Sequence, residues 1–151
     1  MRSRVLIPSV AFLMLVAMGI YFLINPSYEK SLKAKYYYEI GEYKEALTLA
    51  KEAFSIDVYN RMASTIMAQS ITSLKYVSYI ADAKKYMHDI NSIAGHETIS
   101  DADKAKIRTI CNIMISAYIK LAPSVVTDNY LVESAAKYNS DFEKLLEKVN
   151  K

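Results

Sequence analysis

Between Ala34 and Asp57 the chain reads AKYYYEIGEYKEALTLAKEAFSID, two apolar stripes at helical spacing on either side of a single glycine. Before Gly41 the stripe is Ala34, Tyr37 and Ile40; after it, Tyr43, Ala46, Leu47, Ala50, Ala53 and Phe54. Neither helix can bury its own stripe, so the two must pack on each other or on a neighbour. Gly41 can take the positive φ that ends a helix, and Glu42 stands near the positive pole of the helix that follows. Ala46 and Ala53 are small where two helices must approach.

Elsewhere the chain offers little that would interrupt helices. Its 151 residues include 3 Gly, 3 Pro and no Trp, and no Asn-Gly or Asp-Gly hairpin turn or sustained alternation signals strands. All-α is the expected class. The net charge of +3 is weak evidence of partner type: Arg2 and Arg4 precede the first apolar run, and the rest of the chain balances to +1. Basic and acidic residues are interspersed along the helices, which argues against a nucleic-acid footprint. Cys111 is the single cysteine, so an intramolecular disulfide is excluded, and its apolar surroundings read as core.

The first residues, MRSR, lead into VLIPSVAFLMLVAMGIYFLI, an uncharged run from Val5 to Ile24. A helix of about 20 residues spans about 30 Å, the thickness of a hydrocarbon core. Pro8 falls near its start, Tyr21 and Phe22 near the far interface, and Asn25-Pro26 stops it. We therefore divide the chain into an uncleaved membrane anchor over 1–26 and a helical domain over 27–151. A cleaved signal is the rival, with Ala17-Met18-Gly19 as a loose cleavage site, but the apolar run continues beyond it. The arginines place the N-terminus in the cytoplasm and the domain across an inner membrane, in a periplasm, although Lys30, Lys33 and Lys35 weigh the other way.

The pattern around G-E-Y-K-E-A, with a second alanine seven residues on and Ile-Asp at the close, resembles a tetratricopeptide repeat, with Ser27 to Asn60 as one unit of 34 residues. Lys30, Lys33 and Val58 depart from the family pattern, which favours an aromatic, a leucine and a proline there. The resemblance implies a superhelix of about three helical hairpins. In such repeats the first helix of each pair lines a concave surface that holds an extended peptide or a partner helix. Carried onto this chain, that surface is Tyr28, Ser31, Lys35 and Tyr38, followed by Met62, Thr65, Gln69 and Thr72 in a second, degenerate repeat.

Ala34 and Ala68 are 34 residues apart, as are Tyr37 and Ile71, which fits stacked repeats. The second hairpin would join a helix over 59–75 to one over 76–94, with three residues added around Lys75 to Tyr79 relative to the first and Gly95 as C-cap. Ser100 and Asp103 form a capping box for a further helix running to Pro123. Thr127 or Asp128 caps the last, whose stripe is Leu131, Ala135, Tyr138, Phe142, Leu145 and Val149, with Glu133, Lys137, Asn139, Lys144 and Lys148 opposite.

No nucleotide, hydrolase or metal motif occurs, and His88 and His96 have no His or Cys at ligand spacing. The expectation is a non-catalytic adaptor without cofactor or metal. It would bind protein partners in an envelope-embedded complex such as a translocon, secretion apparatus or motor, and the membrane through residues 5–24. The alternatives are a self-associating homo-oligomeric scaffold and a secreted periplasmic chaperone.

Overall fold

The computed structural model describes residues 2–95 and 98–150. Met1, His96, Glu97 and Lys151 lie outside the described residues, as do the side chains of residues 2–6, Phe22 and Leu23. All regular structure among the described residues is helical: α1 (Arg2–Ile24), α2 (Pro26–Glu39), α3 (Tyr43–Ile56), α4 (Arg61–Ala94), α5 (Asp101–Ile119) and α6 (Asn129–Asn150). The chain forms two compact units, with the division after Ser70, inside α4.

In the first unit, α1 ends because Pro26 cannot continue it and Asn25 is built as a cap. The Asn25 side-chain oxygen accepts from the Ser27 N–H at 3.0 Å, and Pro26 opens α2 where a missing amide costs least. Pro8 sits inside α1, deeper than a first-turn proline. Among the described residues no single helix is long and apolar enough to cross a membrane. Ile7–Tyr21 meets that measure only jointly with Pro26–Glu39, from which it is bent by 72°.

Helices α2 and α3 pack as an antiparallel hairpin around Gly41, whose φ of +86° is the expected left-handed turn. The Gly41 N–H bonds to the Tyr38 carbonyl at 3.1 Å and the Glu42 N–H to the Tyr37 carbonyl at 2.9 Å, the paired closure of a Schellman motif. Ala34, Ala46, Ala50 and Ala53 have no exposed surface, so the two backbones come close. Ile66 of α4 completes that core, with Tyr37, Tyr38, Leu49, Met62 and Met67 packed around it. Ile40 departs from its expected face: it caps α2 and is 53% exposed.

The second hairpin expected from the sequence is not formed. Residues 61–94 make one helix of 34 residues, without a turn at Lys75 to Tyr79. The stretch contains no Gly or Pro, so nothing in it ends a helix once the apolar face has found a core.

In the second unit, Ser100 and Asp103 form the full capping box at the start of α5. The helix stops at Ile119, short of Pro123, leaving Ile119 76% exposed. The Asp128 carboxylate accepts from the Tyr130 N–H at 2.8 Å and opens α6, and Thr127 is instead buried with its hydroxyl accepting from the Ser124 N–H at 2.9 Å. Phe142 and Ala135 of α6 are wholly enclosed, as is Cys111 of α5. Arg108 fastens the end of α6 by donating to the Val149 carbonyl at 2.9 Å and the Asn150 side chain at 2.8 Å.

Candidate interaction groove

The eight residues expected to line a concave face lie in different settings. Ser31 has no exposed surface; its hydroxyl donates to the Ser27 carbonyl at 2.8 Å and accepts from the Asn60 amide at 2.7 Å. It belongs to the packed side of α2, with Ser27 and Ala34, because those three positions recur at helical spacing toward α3. Tyr38 is half-buried against the alanine core, its ring edge-on to Tyr43 at 5.3 Å, and Met62 packs on the same core. Tyr28 and Gln69 are half-buried, and Thr65 is exposed. Lys35 is exposed and lies 3.7 Å from Glu39 on its own helix. Thr72 falls in the second unit.

The residue that sequence reasoning passed over is Asn60. It is completely buried, donates to both Ser27 and Ser31, and accepts the Ala63 N–H at 3.1 Å as the N-cap of α4. Asn directly before an apolar-periodic stretch was the available signal.

The second unit contains a concavity of about 890 Å³ between α4 and α5. Its α4 wall carries Lys75, Ser78, Asp82 and Tyr86, and its α5 wall Thr109, Asn112, Ile113, Ser116 and Lys120. Tyr79 of α4 meets Tyr118 of α5, with ring centroids 5.8 Å apart. Lys75, Tyr86, Thr109 and Lys120 all border the same concavity. The lining thus carries two lysines, Lys75 and Lys120, against one carboxylate, Asp82.

Tyr79 and Met114 are the buried members of that lining, and the Tyr79 hydroxyl has no hydrogen-bond partner among the described residues. Burial pushes its pKa up to about 12, with Tyr118 and Glu143 adding to the effect. The hydroxyl is thus a neutral donor and acceptor at any physiological pH. A second concavity of about 480 Å³ involves Ile80 and Lys84 of α4 and Tyr130, Glu133, Lys137 and Asp141 of α6, and its walls balance in charge.

Chemically these surfaces are suited to contact. Burial raises the pKa of Cys111, which has no exposed surface, so it is a poor nucleophile. Among the described residues no group of three or more His, Cys, Asp or Glu could hold a metal ion. Comparison with known protein families, curated proteins and solved structures finds no match for this chain.

Proposed function

We propose that this protein is a non-catalytic, membrane-tethered adaptor, whose helical hairpins form a scaffold of the tetratricopeptide kind and whose α4–α5 groove holds a segment of a protein partner. The observation that carries the reading is α1, a helix of 23 residues with apolar groups outward on every side. Four consecutive residues, Phe12, Leu13, Met14 and Leu15, are each between 67% and 70% exposed, and four consecutive positions go once around a helix. Such a surface in water is a large liability, whereas a bilayer or a second apolar surface covers it. Tethering raises the effective concentration of adaptor and partner on one surface, so modest groove contacts suffice.

The groove favours a segment with an acidic end, placed between Lys75 and Lys120, and an apolar side chain against Ile113. The proposed setting is an inner membrane, with the N-terminus cytoplasmic and the helical units on the far side.

Co-purification from mildly solubilised native membranes tests this, comparing the intact chain with a Lys75→Glu, Lys120→Glu variant. The expected result is loss of specific co-purifying proteins while the variant stays in the membrane fraction. An unchanged set of partners refutes the groove assignment, and release of the intact protein by alkaline carbonate refutes the tether.

A further inference from the structure

Turn positions between helices favour Gly, Pro, Asn, Asp and Ser, because these residues supply the dihedrals and tolerate water. The turn from α3 to α4 instead presents Val58 and Tyr59, 59% and 88% exposed, beside Ile56 at 49%. Nor is this a loose loop in which such residues are incidental. The Asn60 N–H bonds to the Asp57 carbonyl at 3.1 Å, the Tyr59 N–H bonds to the Asp57 carboxylate at 2.9 Å, and Asn60 itself is locked into the core. Val58 and Tyr59 are the outward middle of a braced turn.

The position of the turn says what would cover it. Ser27 Oγ donates to the Ala53 carbonyl at 2.8 Å and receives the Asn60 amide at 2.8 Å, while Lys30 pairs with Glu52. The end of α3 and the start of α4 therefore abut the start of α2, the same end at which α1 delivers the chain. Ser27 is two residues from Asn25, and with about 3.8 Å per Cα step and the Ser27–Asn60 bond between them, Tyr59 lies on the order of 20 Å or less from the elbow. Its side chains match the boundary layer there: an aliphatic group, an aromatic ring with a polar hydroxyl, and the exposed cation Arg61 on the adjacent turn of α4.

We infer that the Val58–Tyr59 turn is a lipid-contacting tip, seated in the interfacial layer of the bilayer that α1 enters. The inference rests on α1 being the tether proposed above. It gives the first unit a second point of attachment, so that the unit is held to the membrane at two places and its rotation about the elbow is restricted.

The chain has no tryptophan, so a single one introduced by substitution is an unambiguous reporter. Tyr59→Trp and Tyr21→Trp are prepared separately in the full chain and reconstituted into phosphatidylcholine–phosphatidylglycerol vesicles with and without brominated acyl chains. Both replaced side chains are mostly exposed, 88% and 62%, so the exchange leaves core packing untouched. The expected result is a blue shift and loss of emission in brominated vesicles for both variants. Quenching at position 21 with none at 59 overturns the tip and leaves the tether standing. A blue shift at 59 without lipid quenching also overturns it, assigning the turn to a protein surface or a second copy of the chain. No quenching at either position removes tether and tip together.

Discussion

Asn60 shows how much one side chain can decide. It caps α4 through its oxygen and joins α2 through its amide, so every polar atom it carries is engaged inside the core. Asn60→Ala removes the cap and strips two hydroxyls of a donor, which together cost about 3 kcal/mol in urea unfolding. Gly41→Ala isolates a different effect: no atom lies within 4 Å of the added Cβ, so only the +86° dihedral is penalised, by about 1 kcal/mol. Tyr79 supplies a pH dependence whose sign follows from its proton. The folded chain keeps that proton up to about pH 12, whereas a tyrosine in water releases it near 10.0. Between those limits the folded state binds more protons, so stability is intact below the window and declines as pH rises through it. In Tyr79→Phe that decline is shallower when urea midpoints are followed across the window. Removing an unpartnered hydroxyl leaves stability at neutral pH unchanged or raises it by up to about 1 kcal/mol.

At the scale of helices, legibility tracked the presence of local signals. The hairpin of α2 and α3 could be read because Gly41 marks its turn and alanines mark its contact, and α5 because Ser100 and Asp103 cap it. The stretch over 61–94 misled because a 34-residue match at Ala34/Ala68 and Tyr37/Ile71 suggested a repeat, whereas the residues themselves contain no breaker; Ala68 and Ile71 are both exposed. The groove was not legible either. Its walls come from helices whose facing depends on tertiary packing, and of the α2 residues assigned by family resemblance Ser31 is the one that the helix buries in its own core. Helix α6 illustrates both sides: its stripe was plain, but Asn139 on the supposed polar face has a buried oxygen without a partner. The stripe should carry the energy. Phe142, with no exposed surface, is expected to cost about 3–5 kcal/mol when replaced by Ala, read from the loss of cooperative unfolding in the second unit.

Taken whole, the chain separates its tasks along its length. One unit carries the outward-facing apolar helix and the braced turn, and the other carries the groove with its two lysines. On the proposed tether, disruption of the groove by Lys75→Glu and Lys120→Glu is therefore expected to leave membrane retention as it was. The converse applies to the knot of Ser27, Ser31 and Asn60. Since the amide that starts α4 is held by a side chain that also grips α2, the first turn of α4 cannot fray alone. The backbone protons of Ala63 and Ser64 should exchange with deuterium at the rate at which the α2–α3 hairpin opens, a rate far slower than helix ends ordinarily allow.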